Sequence, residues 1–179
     1  MSQTIEENVS APTSPLLAFL PWIAVPMGII VLDQLLKVLM VMWIGPEADR
    51  HQVNVLGDAV GFEYVENTGA AFGMLKDHRW VFLVISTVAL GGMIVYMFLN
   101  KNRHPLETVA VAFIVGGGIG NMIDRVARGF VVDFVDVKCI PFWKYIFNVA
   151  DIFVCVGCGL FILYVLLYET RVKKAEDAA

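Results

Sequence analysis

Long apolar segments separated by short polar ones make up most of this chain. A membrane-crossing helix needs about 20 mostly apolar residues, and four segments have suitable length and composition: 16–44, 80–99, 106–123 and 145–167. The first is too long for a cleaved signal peptide and has no basic residues before it, so we expect it to remain as an anchor. The pattern predicts an all-α integral membrane protein with four transmembrane helices in one domain, residues 16–168.

The two loops on one side of these four spans, 45–79 and 124–144, are longer than the turn between the second and third spans. In the first loop, 51–56 and 61–66 are rich in Val, Phe and Tyr with partial alternation, and a Gly-Asp pair between them is typical of a turn. The sequence therefore predicts a small extramembrane β-sheet in the first loop.

Composition supports a lipid environment. The chain is 58% hydrophobic and only 17% charged, with a mean hydropathy of +0.71, whereas soluble proteins carry about 25% charged residues. A net charge of −4 excludes the basic surface expected of a nucleic-acid-binding protein. The polar ends, 1–15 and 169–179, are predicted to be disordered tails.

The distribution of Lys and Arg between the two sides of the membrane only weakly indicates the orientation of the chain. Lys101 and Arg103 in the tight turn, with three further basic residues near the C-terminus, favour cytoplasmic termini. The loops on the opposite side also carry several Lys and Arg residues, so the bias is slight.

Two charged residues lie inside the first span, Asp33 and Lys37. An ionisable group near the middle of a membrane helix costs about 2.5–3.5 kcal/mol on insertion scales, so it needs a partner or a function. The two residues are four apart, so their side chains share a helix face. We interpret them as a structural ion pair.

More polar residues collect where the third span ends. Asn121, Asp124 and Arg125 are spaced at i, i+3 and i+4, on one face of the helix. Gly116 and Gly120 before them are spaced to let another helix approach closely. Asp124 could belong to a hydrogen-bonded helix end or to a functional site, and the spacing leaves both interpretations open.

The fourth span opens with Asn148 and Asp151, followed on the same stripe by Cys155 and Cys158. We expect that stripe to face the interior of the bundle. No basic residue on it neutralises Asp151, which favours a functional carboxylate. The cysteines lack basic neighbours and a second pair, so we interpret them as small packing residues and not as a redox or zinc site.

A second carboxylate comes from the segment 130–137. If it is extended, Asp133 and Asp136 point to opposite faces and only one can look into the bundle. The apolar flanks favour Asp133, while Asp136, just before Lys138, is typical of a solvated residue. Histidines are scattered without metal-ligand spacing, and no serine or cysteine has a neighbouring histidine, so paired carboxylates are the candidate chemistry and no metal or cofactor is expected.

Five sequence blocks, in order over residues 30–155, together resemble one family. They are 33–37, 66–72, 117–125, 132–134 and 147–151, reading DQLLK, ENTGAAF, GGIGNMIDR, VDF and FNVAD. The chain resembles type II signal peptidase, the prolipoprotein signal peptidase of bacteria.

The resemblance implies an aspartic endopeptidase of the bacterial inner membrane with its active site near the outer face. It identifies Asp133 and Asp151 as the catalytic pair. The positions that would line the substrate pocket or hold the pair are Asn67, Asn121, Asp124, Arg125 and Asn148. The implied partners are membrane lipids and prolipoproteins that carry diacylglycerol on a cysteine and are cut before it; we expect a monomer.

Two other kinds of membrane protein would also bury acidic residues or use glycines for close contacts between helices. A small proton-coupled transporter would use Asp33, Asp124 and Asp151, but the inverted repeats common in transporters are absent from the sequence. A noncatalytic membrane interaction protein would explain the glycines but not the clustered acids.

Overall fold

The computed structural model describes residues 15–49, 51–69, 79–100, 104–140 and 142–169. Its helices are α1 Pro15–Ile44, α2 Arg79–Leu99, α3 Pro105–Ala127 and α4 Val149–Tyr164, the last continued by a π-helical turn, Val165–Glu169. Its strands are β1 Gln52–Leu56, β2 Val60–Asn67, β3 Val131–Val137 and β4 Ile146–Phe147. The two predicted tails lie almost wholly outside the described residues, and so do residues 70–78 of the first loop.

Each of the four helices contains a segment long and apolar enough to cross a membrane. The segments are Trp22–Ile44, Trp80–Leu99, Pro105–Ala127 and Val149–Tyr168. Together with the antiparallel sheet outside them, they confirm the predicted fold class of four transmembrane helices and a small extramembrane sheet.

The sheet is larger than the first loop alone. β1 and β2 form the predicted hairpin, with a turn at Gly57, whose φ of 54° suits glycine. β3 and β4 come from the second loop and extend the sheet in the order β1-β2-β3-β4, all antiparallel. Pairing with β3 satisfies the backbone edge of β2 that a two-stranded hairpin would leave open. The sheet therefore joins both loops.

Two helix ends differ from the predicted bounds. α3 continues to Ala127 and does not end at 123, because the carboxylate of Asp124 has partners that satisfy it in the interior. α4 begins at Val149 and not at 145, because Asn148 caps the helix and the two residues before it belong to β4. Both differences move polar residues into ordered structure at the same end of the bundle.

α3 lies between the other helices because its glycines allow close approach. A Cβ at Gly116 would lie 2.9 Å from Cβ of Ile29 in α1, and one at Gly118 would lie 2.8 Å from a methyl of Leu90 in α2. The third side of α3, at Gly117, contacts Ala150 of α4. Any side chain at these positions would push a helix away from the centre.

The expectation that Cys155 and Cys158 face the interior is wrong, since both are exposed. α4 turns Ala150 and Gly157 towards α3 instead, and a Cβ at Gly157 would lie 2.8 Å from the carbonyl oxygen of Ala110. Small residues seven apart fit this close helix contact better than cysteines do.

Candidate active site

β3 places Asp133 and Asp136 on opposite sides of the sheet. Asp133 is 2% exposed, within a strand whose first four residues are all buried. Asp136 is partly exposed, and its Oδ2 lies 3.7 Å from Nζ of Lys138. Because side chains alternate along a strand, only Asp133 reaches the interior.

Two asparagine side chains hold the carboxylate of Asp133. Nδ2 of Asn67, at the end of β2, donates to Oδ2 at 2.9 Å, and Nδ2 of Asn148 donates to Oδ1 at 2.6 Å. The amide of Asn67 is itself oriented, because its Oδ1 accepts from the backbone N–H of Gly69 at 3.0 Å. Both oxygens of Asp133 therefore face fixed donors.

Asp151 lies in the first turn of α4, where Asn148 caps the helix. Oδ1 of Asn148 accepts from the N–H of Asp151 at 3.0 Å, and Oδ2 of Asp151 accepts from the N–H of Asn148 at 3.1 Å. This reciprocal capping box occupies one carboxylate oxygen. The other accepts from Nδ2 of Asn121 at 2.8 Å.

Asn148 and Asn121 join the two aspartates into one cluster. Nδ2 of Asn148, which donates to Asp133, also lies 3.1 Å from Oδ1 of Asn121, whose own amide donates to Asp151. Within the described part of the chain, neither Asp133 nor Asp151 forms an ion pair with Lys or Arg. Neutral donors thus fix both carboxylates without neutralising them.

The environment of Asp133 shifts its titration towards neutrality. Burial, and after it the negative charge of Asp151, raise the pKa of Asp133 to about 7, although the hydrogen bonds from Asn67 and Asn148 act to lower it. A carboxyl group with a pKa near the working pH can serve in proton transfer, which an ordinary surface aspartate cannot do as well.

The predicted pair of Asp33 and Lys37 is part of a larger buried network. Nζ of Lys37 lies 2.9 Å from Oδ2 of Asp33 and 2.9 Å from Oδ2 of Asp124, and all three side chains are 0% exposed. The same ammonium donates to Oδ1 of Asn121 at 3.0 Å. Arg128 makes a further ion pair with Asp124. The lysine therefore serves two carboxylates and one residue of the aspartate cluster.

Each carboxylate of this network holds the backbone just before a candidate catalytic aspartate. Oδ1 of Asp33 accepts from the N–H of Ala150 at 3.0 Å, one residue before Asp151. Oδ2 of Asp124 accepts from the N–H of Val132 at 3.1 Å, one residue before Asp133. Through Lys37, the first span thereby connects the start of α4 with strand β3.

Sequence reasoning missed one member of the network, Gln34. Its Nε2 lies 3.2 Å from Asp33, 3.2 Å from Asp124 and 3.1 Å from the carbonyl oxygen of Gly120. A polar amide beside Asp33 in an otherwise apolar span was the signal that could have identified it.

Arg125 faces a different part of the site. Its guanidinium donates to the carbonyl oxygens of Gly69 and Asn121, each at 3.3 Å, and lies 5.1 Å from the ring centroid of Phe82. It thus connects the end of the first-loop hairpin, α2 and α3 around the cluster. Among the described residues, no group of three or more His, Cys, Asp or Glu side chains is arranged to hold a metal ion.

Comparison with known proteins places the chain in a family. The model of the family described as Signal peptidase (SPase) II matches residues 25–167. The lipoprotein signal peptidase of Symbiobacterium thermophilum is 40% identical over 142 residues, 79% of this chain and 91% of that protein. The lipoprotein signal peptidase of Clostridioides difficile is 37% identical over 78% of this chain and 90% of that protein. The one of Haemophilus influenzae is 42% identical over 70% of this chain and 74% of that protein.

Solved structures share the fold of this chain. Two are described as bacterial membrane enzymes determined by the in meso method, at 2.3 Å and 1.9 Å resolution. The first superposes with a TM-score of 0.72 over 81% of this chain and 87% of its own, at 28% identity. The second superposes with a TM-score of 0.70 over 82% of this chain and 93% of its own, also at 28% identity. The chain belongs to the signal peptidase II family.

Proposed function

We propose that this chain is a membrane-embedded aspartic endopeptidase that removes the signal peptide from prolipoproteins. The observation that carries the aspartic mechanism is the cluster of Asp133, which is buried, and Asp151, which is partly buried. Asn148 donates its side-chain amide to Asp133 and its backbone N–H to Asp151, so neutral donors orient both carboxylates. Family membership and relatives named lipoprotein signal peptidase support the peptidase function, and nothing supports the transporter considered from the sequence.

The chemistry follows from one proton shared by two nearby carboxyl groups. Close carboxylates in an apolar site do not readily both ionise, so one is protonated while the other is charged. The charged one takes a proton from water as the water oxygen bonds to the scissile carbonyl carbon, and the protonated one gives its proton to the carbonyl oxygen. The carbon–nitrogen bond then breaks as the carboxyl group that gained the proton from water protonates the leaving nitrogen. The other carboxylate takes back a proton from a hydroxyl of the tetrahedral intermediate, which becomes the new carboxyl terminus, and the pair again holds one proton.

The surrounding residues suit this cycle because they hold geometry without supplying charge. Asn67, Asn121 and Asn148 donate to carboxylate oxygens, so each aspartate keeps its orientation in either protonation state. Arg125, which already binds a backbone carbonyl, could bind the peptide backbone of a substrate in the same way. Asp124 acts one step away, through the backbone of β3.

The position of the cluster suits a lipid-modified substrate. Asp151 lies in the first turn of a membrane-spanning helix, so a peptide bond near the membrane surface can reach it. Each buried CH₂ contributes about 0.8 kcal/mol, so two acyl chains concentrate a diacylglyceryl precursor in the bilayer. In this proposal, both termini of the chain lie in the cytoplasm of a bacterium. The enzyme cuts the precursor just before the modified cysteine, at the outer face of the inner membrane.

The test compares two precursors that differ only in lipidation. Purified enzyme is incubated in one bilayer with the diacylglyceryl precursor and with the unmodified form, at matched membrane concentrations, and release of the signal peptide is measured. We expect much slower cleavage of the unmodified form, because matching the concentrations removes the contribution of partitioning. Equal turnover would contradict recognition of the lipid, and no cleavage of either form would contradict the peptidase.

A further inference from the structure

The segment between β3 and β4 presents large apolar side chains outside the membrane-spanning helices. We call Phe142, Trp143, Lys144 and Tyr145 the aromatic loop. Phe142 is 83% exposed, Trp143 41% and Tyr145 37%. Contiguous exposed apolar surface of this kind usually marks a contact with another phase or molecule.

The aromatic loop has a defined internal structure. The ring of Trp143 packs edge-to-face with Tyr145 at 5.7 Å and with Phe147 at 6.2 Å between centroids. Its indole N–H donates to the carbonyl oxygen of Tyr145 at 2.8 Å. With its polar atom satisfied inside the loop, Trp143 can enter an apolar layer without losing a hydrogen bond to water.

The loop lies where membrane spans begin and end. Only β4 and Asn148 separate it from α4, a helix of membrane-spanning length whose side chains Ile152 and Val156 are exposed. The exposed Trp43 at the end of α1 and Trp80 at the start of α2 mark the same end of the bundle. Tryptophan and tyrosine concentrate at the membrane–water interface, so this level is the expected boundary of the bilayer.

The positive charge of Lys144 within the loop suits contact with a lipid surface better than a dry contact with another protein. Lys144 is exposed between two aromatic residues. Its long side chain can reach lipid phosphates while its neighbours enter the apolar layer. We propose that the aromatic loop inserts into the headgroup region of the bilayer and anchors the sheet to the membrane surface.

The anchor connects directly to the strand that carries Asp133. Phe147, which packs on Trp143, pairs with Val135 of β3 in the sheet register. The depth of the loop in the bilayer therefore sets the depth of β3 and of the start of α4.

Depth can be measured on the whole protein without reference to activity. The chain has four tryptophans, so replacing Trp22, Trp43 and Trp80 by Phe leaves Trp143 as the sole emitter. In phosphatidylcholine–phosphatidylglycerol bilayers, we expect lipids brominated at carbons 6 and 7 to quench its emission more strongly than lipids brominated at carbons 11 and 12. Quenching by aqueous acrylamide but by neither brominated lipid would overturn the proposal. Blue-shifted emission that neither acrylamide nor the brominated lipids quench would also overturn it, because it would indicate that a protein surface covers the loop.

A second measurement keeps all four tryptophans in place, in case their replacement impairs folding. Cys139, Cys155 and Cys158 are changed to Ala, and a nitroxide is attached at Phe142→Cys, with Asp58→Cys on the exposed β1–β2 turn as the matched control. We expect the label at 142 to collide more with oxygen and less with a water-soluble nickel chelate than the label at 58. Equal accessibility to the nickel chelate at both sites would overturn the anchor.

Discussion

The side-chain amide of Asn148 donates to Oδ1 of Asp133 at 2.6 Å, the shortest of the asparagine contacts to either candidate catalytic carboxylate. The same residue caps α4 and donates its backbone N–H to Asp151. A single asparagine therefore positions one carboxylate and begins the helix that carries the other.

The two roles of Asn148 can be separated by two substitutions. Asn148→Ala removes both the cap and the amide, and loss of a cap costs about 0.5–2 kcal/mol. Asn148→Ser keeps an oxygen able to cap but is too short to replace the amide that donates to Asp133. We expect both variants to lose roughly 100-fold in kcat/KM, as misplaced catalytic groups do, but only the alanine variant to melt at a lower temperature. Full activity in Asn148→Ser would show that capping alone matters.

The catalytic pair can be tested by isosteric replacement. Asp133→Asn and Asp151→Asn keep side-chain shape but remove an ionisable group, so each should abolish cleavage while the protein still inserts and folds. Asp136→Asn is the matched control on the opposite face of β3, where the carboxylate lies 3.7 Å from Nζ of Lys138, and should be mild. Loss of cleavage in the control with retention in Asp133→Asn would mean that the pair is assigned wrongly.

The pH profile should report the titration of Asp133. Because its pKa is raised to about 7, the protonated form of the pair is lost as pH rises through neutrality, and kcat/KM should fall there. The hydrogen bond from Asn67 lowers this pKa, so Asn67→Ala should move the falling limb to higher pH.

The control for this shift is Asn54→Ala, on the exposed strand β1, where the side chain contacts Asp58 and Lys138. It should leave the falling limb in place. A limb that moves to lower pH in Asn67→Ala, or does not move, would contradict the proposed electrostatics of Asp133.

Lys37 should be more important for stability than a simple pair predicts. Lys37→Met leaves Asp33 and Asp124 without their shared cation, and breaking a buried ion pair costs about 3–5 kcal/mol. Adding Asp33→Asn should recover only part of that loss, since Asp124 retains its charge with Arg128 alone. Thermal unfolding in detergent measures both variants. Complete recovery in the double variant would show that Asp33 and Lys37 act as an isolated pair.

Cleavage should not require a metal ion, because the described residues present no ligand group suited to one. We expect activity to survive prolonged treatment with a strong chelator. Loss of activity followed by rescue with added zinc would overturn the aspartic mechanism.

The sequence was sufficient for the spans and for several contacts within a helix. Four apolar segments of membrane-crossing length leave few folds open, because lipid requires backbone groups to be satisfied within each segment. Asp33 and Lys37, four residues apart in one span, are 2.9 Å apart in the structure, as helix geometry predicts. The roles assigned to Asp133 and Asp151 by family resemblance stay predictions.

Local patterns did not reveal contacts made between elements. The addition of β3 and β4 to the first-loop hairpin depends on strands far apart in sequence. The outward position of Cys155 and Cys158 depends on which face of α4 fits the glycines of α3. Hydrophobic periodicity and composition describe one segment at a time. They therefore could not predict the four-stranded sheet or the outward position of the two cysteines.

Spacing along the chain determined which acidic residues share a helix face and that Asp133 and Asp136 point apart. Only the tertiary structure decided that Lys37 serves both Asp33 and Asp124, and that those carboxylates hold the backbone before Asp151 and Asp133. The physical reason is desolvation: in the dry interior every charge and N–H needs a partner, and that partner is whichever group the packing of helices and strands brings within about 3 Å.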